Sequence, residues 1–361
     1  MTLVKKPAFA RGCISPEKWY AFPMTPLFHP SLVNDPFGDP ALYVDFLFER
    51  RALLFDLGNL APLPPRKLLR VSHAFVSHTH VDHFIGFDGL LRLCLGREKT
   101  LALFGPPGFV DQVEHRLAAY TWNLVESYPT DFTVVAHEVH PEGTGRRAAF
   151  RCRARFTREG EQTFAAPGLL LLNEETFRVR CTFLDHQLPC LAFALEEKTH
   201  VNVMKNRLVE RGLTVGPWLR ELTRLVLRGA PDDTPVQAAG QVEGGERERS
   251  IPLGELRQEV LTVVPGQKIA YVTDARYTPE NEARIVELAR GADYFFIEAT
   301  FAAADTERAA TRCHLTTRQA GSLAREAGAG RVIPFHFSPR YQGEEERLRA
   351  EVATAFAGMT R

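Results

Sequence analysis

The apolar run Ala74-Phe-Val-Ser77 breaks straight into His78-Thr-His80-Val-Asp82-His83. Three imidazoles and one carboxylate within six residues constrain this chain more than any other feature. They bring borderline-soft nitrogen donors and a hard oxygen donor around one point, a mixture that Zn²⁺ favours and that Mn²⁺ or Fe²⁺ also fit. Because the cluster follows a strand directly, it lies at the rim of a sheet, where α/β folds hold their ligands. Four donors cannot fill two metal sites, and three further residues repeat the same placement. His186 follows the apolar run 177–184, Asp274 follows 269–273, and His336 follows 331–335.

Composition narrows the setting. With 361 residues the chain fits one large α/β domain with insertions, or two domains. Forty-four basic residues balance forty-four acidic ones, so any surface for nucleic acid must be local. The longest apolar runs, such as Pro167-Gly-Leu-Leu-Leu-Leu172, fall far short of the ~20 residues of a membrane span. Lys5 and Lys6 have no apolar stretch behind them, so no secretory signal is visible. Six scattered cysteines without a CxxC pair point to neither a disulfide framework nor a cysteine zinc site. A cytoplasmic protein is expected.

Along the chain, residues 1–40 carry no assignable pattern. Residues 41–48 and 52–57 read as a β-hairpin, and residues 87–95 and 107–126 as helices. Strands separated by Gly-rich turns fill 132–186, and 203–228 turns helical around Gly216-Pro217. Residues 231–250 have almost no apolar content and read as a flexible loop. Strand and helix then alternate to the end, so two halves with histidines at strand ends predict a layered α/β sandwich.

The string HTHVDH, followed by Phe84-Ile-Gly-Phe-Asp-Gly-Leu90, resembles the first signature of the metallo-β-lactamase superfamily, in its ribonuclease Z branch. Further matches follow in the family's order: Leu103-Phe-Gly-Pro-Pro-Gly108, Leu184-Asp-His-Gln-Leu-Pro189, Tyr271-Val-Thr-Asp-Ala-Arg276, Ile297-Glu-Ala-Thr-Phe301, Cys313-His-Leu-Thr316 and Phe335-His-Phe-Ser-Pro-Arg-Tyr341. The resemblance implies a four-layer αβ/βα sandwich spanning 1–361 as one domain. It implies two Zn²⁺ ions, one held by His78, His80 and His186, the other by Asp82, His83 and His336, with Asp274 bridging. It also implies that Asp82 accepts a proton and that His314, oriented by Glu298, protonates a departing 3′ oxygen. The expected activity is removal of 3′ trailers from precursor tRNA by a homodimer. Departures from the family pattern at Asp56-Leu-Gly-Asn59, Thr273, Ala275 and Ile297 remove no implied ligand and bear on the substrate. Two rivals therefore stay open: a zinc phosphodiesterase acting on another nucleic acid or a small phosphodiester, and a metal-stabilised nucleic-acid-binding protein without turnover.

Between 198 and 228 seven basic residues face two acidic ones. Arg220, Arg224 and Arg228 recur every fourth residue, one stripe on a helix. The resemblance places a tRNA-gripping arm here, inserted near 197–255. Arg151, Arg153 and Arg155 alternate as if on one face of a strand. His137 and His140 lie before a Gly-rich turn and are expected to be structural.

Overall fold

The computed structural model describes residues 27–47, 49–242 and 245–359. Its main body is two sheets packed face to face with helices on both outer surfaces. In the first, eight strands lie in chain order: Phe28–Leu32, Leu42–Phe46, Ala52–Phe55, Val71–Phe75, Lys99–Gly105, Phe132–Val139, Thr144–Arg151 and Arg158–Ala165. The second runs Val332–Phe335, Tyr294–Glu298, Lys268–Val272, Pro189–Glu197, Phe177–Asp185, Leu170–Asn173. The expected hairpin forms with Leu42 opposite Phe55.

The middle of the first sheet and one side of the second are parallel. Parallel neighbours need crossovers, and these are supplied on the outer faces. Helices Phe87–Cys94 and Phe109–Ala118 pack apolar faces on the first sheet. Helices Pro279–Ala289, Thr317–Glu326 and Glu345–Phe356 do so on the second. Between the sheets lies an aromatic core in which Phe55 contacts Phe75, Phe193 and Tyr271. The order helix, sheet, sheet, helix is the four-layer sandwich expected from the sequence. Parallel strands that share a direction share an end, and the His and Asp residues lie at that end.

A fourth apolar cluster, with Leu208, Leu222, Val236 and Leu256, is separate from these layers. It forms a folded insertion rooted on the antiparallel strands His200–Val203 and Leu261–Val264, so the insertion reaches past the expected end at 255. Its helices are Lys205–Glu210, Trp218–Leu227 and Leu253–Val260. Residues 231–250 are not a loop: strands Pro235–Val242 and Gly245–Pro252 pair as a hairpin. Val236 and Ala238 point into the insertion's core while Pro235 and Gln237 stay more exposed. That alternation is carried by small residues, which a count of apolar content overlooks. The helix expected over 107–126 ends at Ala118. The arginine face expected at 151–155 does not form, because the strand ends at Arg151, Cys152–Ala154 is a 3₁₀ turn and Arg155 has φ 55°. Among the described residues no helix is long and apolar enough to cross a membrane.

Two glycines let the loop that carries His78 to His83 pack. A Cβ on Gly86 would lie 2.0 Å from the Gly58 carbonyl oxygen, and one on Gly58 would lie 2.8 Å from the Asp82 carbonyl oxygen. Gly89, one turn further on the helix, has open space around it. Gly86→Ala is therefore expected to cost about 1–3 kcal/mol through overpacking, whereas Gly89→Ala is expected to stabilise by up to about 1 kcal/mol. Urea midpoints of the two variants check this; equal shifts would contradict it.

Candidate metal centre

Each donor is set by the strand before it. Val71–Phe75 delivers Ser77, His78, His80, Asp82 and His83, the last two on the short helix Val81–Phe84. Phe177–Asp185 delivers His186, Lys268–Val272 delivers Asp274, and Val332–Phe335 delivers His336. The seven residues expected as ligands converge. His78, His80, His186 and Asp274 present donor atoms within 4.8 Å of one another, and so do Asp82, His83 and His336. Asp274 connects the two groups: its Oδ2 lies 3.3 Å from His186 Nε2, 3.7 Å from His78 Nε2 and 3.5 Å from His83 Nε2, and its Oδ1 lies 3.0 Å from His336 Nδ1.

These spacings fit divalent ions. Donors bound tetrahedrally at 2.0–2.1 Å from one ion lie about 3.3 Å apart, and most of the separations here exceed a good hydrogen bond. His83 Nε2 is buried without a hydrogen-bond partner, which is costly unless something else satisfies it.

The backbone is bent to serve this point. Four non-glycine residues beside it lie in the left-handed region: Asp56 (φ 58°), Gln187 (φ 63°), Cys313 (φ 61°) and His336 (φ 60°). Such conformations cost of order 1 kcal/mol or more each and persist where surrounding contacts impose them.

Electrostatics separates the histidines. Burial pushes His78 down to about 2, with the neighbouring His83 acting in the same direction. Burial also disfavours charge on His83 and His336, yet Asp274 reverses this and holds His83 well above its ordinary value and His336 up at about 10. Burial would raise Asp82, but the hydrogen bond from His336 and the charge of His83 hold it low. A buried anion and its imidazoles thus form one coupled set.

His314 lies beside this set. Its Nδ1 is 3.2 Å from each Glu298 oxygen and 3.9 Å from Asp274 Oδ1. Burial lowers its basicity, and the Glu298 carboxylate more than restores it. Glu298 is itself buried, accepting from the Ala275 amide at 2.8 Å and Thr300 Oγ at 2.5 Å. That grip leaves Nε2 of His314 as the nitrogen a substrate can meet. His314 and His336 both line a cavity of about 600 Å³ that also reaches Asp82 and Asp274.

Three residues whose part pattern reading missed stand behind the expected ligands. His83 Nδ1 contacts Asp56 Oδ2 at 3.0 Å, and Asp56 accepts from the Ser77 amide (2.7 Å), Ser77 Oγ (2.9 Å) and Tyr271 OH (2.9 Å). The backbone helps as well, since His186 Nδ1 contacts the Cys313 carbonyl at 2.8 Å. The available signal was placement: Asp56 follows the strand Ala52–Phe55, as the expected ligands follow theirs.

The decoys lie elsewhere. His137 stacks on Phe104 with ring centres 4.3 Å apart, and burial lowers it to about 4; His140 pairs with Glu138. Of the arginine stripe, Arg228 is held by Glu175 at 2.5 Å and Arg224 lies 3.5 Å from Glu221, while Arg220 and Arg224 edge a groove between the insertion and the main body.

Residues 242–337 match a family model described as a Beta-lactamase superfamily domain. The chain is 33% identical to a ribonuclease Z of Deinococcus radiodurans over 334 residues, covering 90% of this chain and 94% of that one. A ribonuclease BN of Cronobacter sakazakii is 31% identical, covering 84% of each. In fold the chain is similar to the metallo-β-lactamase fold protein YhfI from Bacillus subtilis, with a TM-score of 0.50, 15% identity and coverage of 91% and 94%.

The Asp56 contact makes a checkable claim. Removing a carboxylate behind a ligating imidazole typically weakens metal binding 10–100-fold. Asp56→Ala is expected to lose roughly that much affinity in chelator competition, and Tyr271→Phe, which removes one of the hydrogen bonds to Asp56, less. Equal affinity in the native protein and both variants would contradict the role of Asp56.

Proposed function

We propose, on the ground that this chain belongs to the ribonuclease Z family, that it is a hydrolytic nuclease that removes 3′ extensions from precursor tRNA and leaves a 3′-hydroxyl. The observation that carries this reading is 33% identity to a ribonuclease Z over 90% of the chain. The assigned cofactor is two Zn²⁺ per chain: His78, His80 and His186 would hold one, Asp82, His83 and His336 would hold the other, and Asp274 would serve both. When bound, such ions polarise a phosphoryl oxygen and lower the pKa of water towards neutrality.

The chain's own groups then divide the proton work. Asp82 is partly exposed at the cavity while Asp274 and His83 beside it are buried, which suits it to orient the attacking water and accept its proton. Attack on phosphorus expels the 3′ oxygen of the upstream nucleotide. His314 Nε2 donates the proton that this oxygen needs, and Glu298 steadies the imidazole and supports its protonated form. One P–O bond forms, one breaks, and the products are a 3′-hydroxyl and a 5′-phosphate on the trailer.

The insertion would grip the tRNA. Arg220 and Arg224 stand at a groove edge, whereas Arg228 lies outside it and pairs with Glu175, so phosphate binding is assigned chiefly to the first two. The same family premise assigns a cytoplasmic homodimer, for which sedimentation should give the mass of two chains.

Incubation with a precursor tRNA should yield a mature-length product with a 3′-hydroxyl, and a chromogenic phosphodiester should also be turned over. Cleavage of the small ester alone would overturn the tRNA assignment. His80→Ala and Asp274→Ala should each lose metal and nearly all hydrolysis. His314→Ala should keep its metal yet lose roughly 10²–10⁴ in rate; metal loss in step with activity would make His314 a ligand. Exchanging Arg220 and Arg224 for Gln should raise KM for precursor tRNA and flatten its salt dependence by ~0.7–0.9 for each phosphate no longer neutralised, with the small ester unaffected. Equal impairment on both substrates would make these arginines structural.

A further inference from the structure

Three phenylalanines line the metal cavity. Phe301 and Phe337 are buried, while Phe37 is half-buried. Phe37 sits edge-on to Phe337, with ring centres 5.5 Å apart at 61°, which leaves part of its ring surface uncovered by that contact. Arg312, exposed and without an ion pair among the described residues, lines the same cavity.

The turn that carries Phe37 is pinned at several points. The Phe37 amide donates to Asp35 Oδ1 at 2.9 Å, and the Gly38 amide to the Asp35 carbonyl at 3.0 Å. Asn34 Nδ2 donates to the carbonyls of Asp39 (2.7 Å) and Asn59 (3.0 Å), and the Asn59 amide returns a bond to Asp39 Oδ2 at 3.2 Å. The Phe337 amide, one residue past His336, donates to the Pro36 carbonyl at 2.7 Å. The backbone that carries the ring is therefore fixed relative to the expected metal ligands and the ring itself rests against Phe337, so little ordering cost remains when something packs on it.

Single-stranded nucleic acid is recognised by stacking its splayed bases on aromatic side chains. A fixed ring on the wall of a cavity that also carries a guanidinium offers a surface for a base and a charge for a phosphate. We infer that Phe37 is a stacking platform for the base of a nucleotide flanking the scissile phosphate. This inference rests on the reading of the substrate as RNA.

A cycle that pairs a change in the protein with a change in the RNA tests it. Precursor tRNAs abasic at the nucleotide immediately upstream or immediately downstream of the cleavage point are compared with the intact precursor. In the native protein the abasic change at one flank is expected to lower kcat/KM roughly 5- to 150-fold, the range of base–aromatic stacking. In Phe37→Leu, which keeps apolar bulk without a ring, the intact precursor should fall by a similar factor and the abasic change should cost little more. Phe37→Trp should restore the dependence on the base. Additive losses at both flanks would overturn the inference, because a purely structural Phe37 lowers activity equally with and without the base. Failure of the native protein to cleave the intact precursor is a separate outcome, which removes the RNA reading itself.

Discussion

A carboxylate shut away from water has to be neutralised by its surroundings, and Asp274 is surrounded by imidazoles from three other segments. His83, His186 and His336 each place a nitrogen within 3.5 Å of its oxygens, and His78 places one at 3.7 Å. Unpaired, such a charge would cost several kcal/mol. The contact spans both sheets, since His78 and His83 follow a strand of the first and His186, Asp274 and His336 follow strands of the second. The centre is thus the point at which the two halves of the sandwich are joined chemically as well as by packing.

Much of the nearby structure is shaped around that point. Asp56 and His336 are held at positive φ, Gly58 and Gly86 admit backbone where no Cβ fits, and the 34–40 turn is tied to Asn59 and Phe337. A site held this closely needs little reorganisation when substrate binds, which is the condition under which fixed charges stabilise a transition state most. His314 belongs to the same rigid unit through Glu298, whose carboxylate is tied to Ala275, one residue after Asp274.

Residue type and strand-end placement make the centre legible in the sequence itself. His78, His80, Asp82 and His83 stand in one string, and His186, Asp274 and His336 each follow an apolar run. Asp56 is harder to see because its partners, Ser77 and Tyr271, are distant along the chain, the latter by 215 positions. Its role exists only once the strands stack. The 235–252 hairpin is hidden for a different reason: its inward residues include Val236 and Ala238, and many of its outward ones are polar, so composition resembles a loop while period-two alternation does not. The arginine stripe shows the limit of helical spacing, which places Arg220, Arg224 and Arg228 on one face but cannot see Glu175 waiting for the third.

Anomalous diffraction from crystals of the zinc-loaded protein measures most directly whether seven side chains from four strand ends form one two-ion centre. Two peaks per chain are expected, one against His78, His80 and His186 and the other against Asp82, His83 and His336, with the Asp274 carboxylate between them. A single peak, or a pair in which His314 replaces one of these ligands, would contradict it.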